Sequence, residues 1–376
     1  MGTRSDQRNE AENRNGKKTG KKGQTAKQKR ARRNRRVVIF GVEILVLLGL
    51  AYLLFRLFSI DKASEPNVVV LDKKELGIAE QVETNPTLEG YWNIALFGVD
   101  AVSKSELYKA SRSDSIMIAS VNKDTGDIKL VSVYRDTYLD LGNKYSKITN
   151  AYSYGGAEQA IKALNTNLDL DIEDFVTVGY QALSKAIDGL GGVYIEVDSV
   201  ELKHINNYQI AVAEVLKTEY VKVEEPGMQL LNGLQATAYC RIRYTAGDDF
   251  KRAERQREVL KEMEKQAKKA SLSTLVSVFE SIMGDIYTSL NQEDVVALLG
   301  KIMDYQIAGE GGFPQEELRA DGNIGGAGAV IVPYDLESNV LWLHRFLFED
   351  ESYEVSDRVK EINDTIVEKA TPYLKR

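Results

Sequence analysis

The sequence predicts an α/β fold, a mixed central β-sheet flanked by helices, preceded by one transmembrane helix. Three features carry this: a long apolar run behind a basic tail, two strand-like segments joined by a hairpin turn beside a third, and a helix set between two further strands.

Residues 1–36 hold 14 Lys and Arg against Asp6, Glu10 and Glu12, a net of +11, while the rest has 35 basic and 53 acidic residues, a net of −18. Such asymmetry between tail and body places the two in different surroundings. With almost no apolar side chain, the tail cannot bury a core and reads as disordered. It fixes topology and touches anionic lipid. A nucleic-acid arm is the weaker reading, because no aromatic residue is interleaved to stack on a base.

From Val37 to Leu54 the only charged residue is Glu43, and apolar character resumes after Arg56 through Ile60. At about 1.5 Å per residue, residues 37–60 span a hydrocarbon core with some tilt. The basic tail orients them with the N-terminus in the cytoplasm and everything after about residue 61 outside. A cleaved signal fits less well: the tail is long, and Phe58-Ser59-Ile60-Asp61-Lys62 offers no small-x-small cleavage pattern. Glu43 sits near the interface, pairs with a partner helix, or equally takes a solvated position near the cytoplasmic end.

Cys240 is the only cysteine, so no internal disulfide forms. His204 and His344 are isolated, which disfavours zinc.

Residues 61–90 read as a juxtamembrane connector with a short β-like run, 68–71, and residues 91–376 as one extracellular domain. Its first strand is 92–100, the second 115–122 and the third 127–134. Lys123-Asp124-Thr125-Gly126 is a turn of hairpin length. Pairing Asn122 with Asp127 sets the register, and carrying it outward places Asp114 opposite Arg135, provided no bulge intervenes. Residues 157–165 have helical periodicity, 174–178 form a strand, 180–190 a helix ending at Gly191-Gly192, and 193–197 a strand, a β-α-β unit that favours parallel pairing. A strand at 236–244 and a charged helix at about 249–269 follow. Residues 266–376, with helices near 272–283 and 294–303, read as packing of the same domain.

The strand ends carry unusual charge. Asp100 closes the first strand, Arg112-Ser113-Asp114 opens the second, and Arg135-Asp136 closes the third. With the first and third strands side by side and running the same way, these meet at one sheet edge. A solvated ion-pair cluster is the bland alternative. In the strand 236–244 a period of two puts Arg241 and Arg243 on one face and Cys240 in the core. Arg252, Arg255 and Gln256 share one face of the next helix. Arginine's planar fork binds phosphate oxygens in pairs, so this density suits a diphosphate. Asp100 and Asp114 would oppose an anion unless a hard cation such as Mg2+, or Mn2+ in its place, bridges them to it. No Gly-x-x-x-x-Gly-Lys loop occurs, so nucleotide hydrolysis is not indicated.

The blocks NIALFGVD, RSDSIMIASVN, SVYRDTYL, KITNAYSYGG, DGLGGVYIEV, LNGLQATAYCRIRY and DFKRAERQREVL, in that order over 92–265, resemble those of the LytR-CpsA-Psr family. The resemblance implies an α-β-α domain in the envelope of a Gram-positive cell. It implies a phosphotransferase that joins a cell-wall glycopolymer, teichoic acid or capsular polysaccharide, from a polyprenyl diphosphate to peptidoglycan through a phosphodiester. It further implies a deep apolar pocket for the lipid tail. By motif, Asp100 and Asp114 are the metal ligands, and Arg112 and Arg135 hold the diphosphate. Arg241, Arg243, Arg252 and Gln256, with Arg255 adjacent, form the second group, and Asp136 is a candidate base. Tyr134 stands where the family commonly has proline. The rivals are a non-catalytic lipid-binding or regulatory envelope protein, and a nucleic-acid-binding regulator that needs its basic tail.

Overall fold

A computed structural model describes residues 67–374, apart from 102–105, 111, 244 and 246. The expected tail and transmembrane helix lie outside the described residues. Among the described residues, no helix is long and apolar enough to cross a membrane.

The centre is a seven-stranded mixed sheet in the order β1 (Asn67–Val68), β10 (Ile286–Thr288), β7 (Asp174–Val178), β2 (Tyr91–Val99), β3 (Ser113–Asn122), β4 (Asp127–Val133), β11 (Gln306–Phe313). β2 runs antiparallel to β3 and parallel to β7, and β3 runs antiparallel to β4. The first and third strands of the sequence reading do run the same way, but β3 lies between them.

The hairpin register is as expected: Val121 faces Ile128 and Met117 faces Ser132 without a bulge. The turn is held locally, with Asn122 Oδ1 accepting from the backbone of Asp124 and Thr125, both at 3.0 Å. Gly126 takes a positive φ of 77° there. Across β2 a bulge falls between Gly98 and Val99, next to Asp100.

One face of the sheet is covered by α1 (Thr149–Leu168), α8 (Leu336–Phe348) and α9 (Asp357–Ala370), which bury Phe97, Phe175 and Tyr152 in the main core. The α1 helix is longer than its periodic stretch and kinks at Gly155-Gly156. On the other face lie α2 (Tyr180–Gly189) and α5 (Asp248–Lys269). Around these pack α3 (Ser199–Leu216), α4 (Gly233–Tyr239) and the hairpin of β8 (Val193–Val197) with β9 (Gly227–Leu231). The connector is no free tether over its described part, since Leu76, Val82 and Leu88 are buried in the main core.

Three further expectations are corrected. β8 does not run parallel beside β7; it pairs antiparallel with β9 in a separate sheet, because both sides of β7 are taken by β2 and β10. The described residues of the segment 236–244 form no strand. An Asn232/Gln235 capping box starts α4 instead, and Gly233 lets it approach α2: a Cβ there would lie 2.0 Å from the Ser184 carbonyl oxygen. Finally, residues 266–376 do more than pack. Beyond α6 (Leu272–Ile282) and α7 (Gln292–Gly300) they supply β10 and β11 to the central sheet, and the hairpin of β12 (Ala320–Ile324) and β13 (Gly328–Val332).

Candidate active site

The hairpin brings Asp114 and Arg135 to the sheet edge where β2 delivers Asp100. Arg135 Nη1 donates to Asp114 Oδ1 at 2.7 Å, and its Nε lies 3.9 Å from Asp136 Oδ2. Asp136 Oδ1 is 3.1 Å from Lys147 Nζ, of β6 (Tyr145–Lys147), whose hairpin partner is β5 (Tyr138–Asp140). Arg112 is exposed at the head of β3.

The second arginine group descends onto this edge. Although α4 and a turn replace the expected strand, Ile242 is buried and its neighbours Arg241 and Arg243 are not. Arg241 lies over the Tyr180 ring at 4.6 Å, with Nη2 3.8 Å from Asp100 Oδ2. From α5, Arg252 Nη2 donates to the Asp114 carbonyl oxygen at 2.9 Å. One turn on, Gln256 Oε1 accepts from Ser115 Oγ at 2.9 Å. Arg255 is different: its donors go to Glu201 Oε1 at 2.7 Å, the Ile242 carbonyl oxygen and Thr245 Oγ1. It braces α5 against α3 and has no fork left for a ligand.

Asp249, which is not among the site residues the sequence points to, is the hub. Its carboxylate lies 3.1 Å from Arg252 Nη2, 3.2 Å from Arg243 Nε and 3.5 Å from Arg135 Nε. The available signal was its place one turn before Arg252 at the start of α5. Burial raises the Asp249 pKa although Arg252, Arg135 and Arg243 oppose that. Burial, then repulsion from Arg135 and Arg243, pulls Arg252 below its ordinary value despite Asp249. For Arg135, burial works against the charge, but Asp114, Asp249 and Asp136 outweigh it and raise the pKa. Among the described residues, the buried Nε atoms of Arg135, Arg243 and Arg252 have no hydrogen-bond partner. Those of Arg135 and Arg243 meet Asp249 only as ion pairs, and three guanidinium groups crowded around that one buried carboxylate favour an incoming polyanion.

Below the cluster opens a cleft of about 560 Å³ between the sheet and helices α2 and α5. Asp100, Asp114, Arg241, Arg243, Arg252 and Gln256 line its polar end. Leu96, Met117 and Val176 form one rung across its floor, and Val259, Leu260 and Met263 its roof. From Arg252 to Met263 the helix rises about 16 Å at ~1.5 Å per residue. One end therefore suits a polyanion and the remainder an apolar chain. Cys240 also lines the cleft, where burial pushes its thiol up to about 12, so it acts as a small apolar residue.

The two cleft carboxylates fit a hard cation. Asp100 and Asp114 are 49% and 41% exposed, and among the described residues no third Asp, Glu, His or Cys joins them at ligand spacing. That set suits Mg2+ completed by phosphate oxygens and water. Each carboxylate now faces an arginine, so a cation would release Arg241 and Arg135 to a phosphate.

Biofilm regulatory protein A of Streptococcus mutans is 30% identical over 240 residues, spanning 58% of this chain and 57% of that protein. The alignment thus covers little more than half of that relative's length. The Bacillus subtilis TagT, named a polyisoprenyl-teichoic acid–peptidoglycan teichoic acid transferase, is 26% identical over 244 residues, 64% of this chain and 72% of that protein. Among solved structures, TagT with bound octaprenyl pyrophosphate lipid superposes with a TM-score of 0.52 at 21% identity, covering 74% of this chain and 99% of that one. The mixed sheet and its flanking helices are therefore a shared fold. The LytR_cpsA_psr family matches residues 59–322, well over half of the sequence, and the chain belongs to that family.

Proposed function

We propose that this chain is a membrane-anchored phosphotransferase that moves a glycopolymer 1-phosphate from a polyprenyl diphosphate to a hydroxyl of peptidoglycan. The observation that carries the reading is the union of an arginine cluster with an apolar cleft. A diphosphate linked to a prenyl chain has that same division, and relatives bear names for this transfer.

The acceptor hydroxyl oxygen bonds to the phosphorus next to the glycan, and the bond from that phosphorus to the bridging oxygen breaks. Lipid monophosphate leaves with the electron pair. The hydroxyl proton passes to a carboxylate, for which Asp136 is the candidate. Arg135, Arg241, Arg243 and Arg252 hold the phosphate oxygens and stabilise the charge that develops on the leaving group. Asp100 and Asp114 would hold Mg2+ or Mn2+, which neutralises phosphate charge when bound. The active domain lies outside the cell, with the basic tail in the cytoplasm and residues 37–60 crossing the membrane.

A non-catalytic lipid-binding protein would use the same arginines without turnover. The test is transfer of a labelled glycan from polyprenyl diphosphate to peptidoglycan fragments by the full chain in lipid nanodiscs with Mg2+. Metal-dependent transfer supports the enzyme. Tight lipid binding with no transfer of cognate substrate moves the assignment to the binder.

A further inference from the structure

Beside the arginine cluster, outside the cleft, stands a second basic and aromatic group. Tyr134, immediately before Arg135, meets Phe250, immediately after Asp249, edge to face at 4.6 Å and 87°. Arg319, from the segment leading into β12, lays its guanidinium over the Phe250 ring at 3.7 Å and beside the Tyr134 ring at 5.2 Å. Its Nη1 donates to the Pro314 carbonyl oxygen at 3.0 Å. The guanidinium is thus held in place and half-buried, with little side-chain entropy left to lose on binding.

The position of this group matters more than its stability. In-line phosphoryl transfer puts the attacking and leaving oxygens on opposite sides of phosphorus. The leaving lipid phosphate belongs to the cleft, whose lining includes neither Tyr134, Phe250 nor Arg319. An acceptor therefore reaches the cluster from outside the cleft, whose lining also leaves out Arg135, Asp136 and Lys147, linked through Asp136 at 3.9 and 3.1 Å. Peptidoglycan carries carboxylates on its peptide stems, and a planar arginine fork binds a carboxylate bidentately.

We propose that Arg319, held in place by Phe250 and Tyr134, is the residue that binds a carboxylate of the acceptor strand and so sets which acceptor hydroxyl meets the phosphate. This rests on the transferase reading.

The test separates the two. Full-length chain in nanodiscs is titrated with a soluble disaccharide-peptide fragment of peptidoglycan, alongside lipid binding and transfer. The wild type binds the fragment more weakly as salt rises. Arg319→Ala weakens fragment binding about tenfold, the scale of one charged hydrogen-bond pair, leaves lipid binding unchanged and raises the acceptor KM more than it lowers kcat. Arg319→Lys recovers part of the loss, since it keeps the charge without the fork. Phe250→Leu, which keeps an apolar packing partner, gives a smaller loss in the same direction. Equal fragment binding by wild type and Arg319→Ala, or none by the wild type, overturns the proposal. Fragment binding that depends on Arg319 without any transfer leaves the acceptor site standing and rejects the enzyme.

Discussion

Arg135 and Asp114 are joined at 2.7 Å across the open end of the β3–β4 hairpin, three residues beyond its last paired rung, Met117 with Ser132. The same arginine reaches Asp249 on α5, so it links the sheet edge to the helix that roofs the cleft. On the transferase reading it touches phosphate whose charge shifts as the lipid bond breaks. Arg135→Ala then lowers kcat by about 10² to 10³, with a smaller change in lipid affinity. Single-turnover transfer beside lipid binding checks this; loss confined to affinity refutes it.

The carboxylates make a separate prediction. Asp100→Asn or Asp114→Asn keeps size and removes charge, so each abolishes metal-stimulated transfer while the thermal midpoint changes little. Both side chains are about half exposed, which limits their part in stability. Wild-type metal titrations for both variants would show that the cation binds elsewhere or not at all.

Arg255 and Arg241 divide structure from chemistry. Arg255 is 3% exposed and paired with a buried Glu201. Arg255→Ala strands that carboxylate and costs about 3–5 kcal/mol of stability. Arg241→Ala leaves the urea midpoint nearly unchanged and impairs transfer. The reverse ranking would return Arg255 to the binding site.

His344 is fully buried on α8, with Nε2 3.1 Å from the Leu168 carbonyl oxygen and its ring stacked on Tyr353. Burial lowers its pKa from 6.5 to about 4. Between those values the unfolded chain binds the proton and the folded chain does not. Stability present above 6.5 is therefore lost as pH falls towards 4, by roughly 3 kcal/mol. Asp169 and Asp171, raised by burial, act in the opposite sense. The measurement is accordingly the difference between wild type and His344→Gln in urea midpoints at about pH 7 and about pH 4.5. A parallel fall in both proteins would contradict the assignment.

Topology is checked on wall-stripped cells. Added protease digests the domain after about residue 61 and spares an epitope in the tail. A protected domain would reverse the orientation.

The sequence by itself determined the features that depend on neighbours along the chain. The turn at 123–126 sets the hairpin register, and strand pleating carries it to Asp114 and Arg135. A 3.6-residue period puts Arg252 and Gln256 on one face of α5. Tertiary structure decided the rest. Residues 236–244 and 193–197 are short apolar runs whose alternation cannot tell a strand from a helix turn, or name a strand's partner. The places beside β7 and β4 go to β10 and β11, more than a hundred residues downstream, through pairings no local pattern specifies. How α5 is rotated over the sheet is likewise set by packing. That rotation buries Asp249 among three arginines, turns Arg255 inward and opens the apolar cleft beneath Arg252.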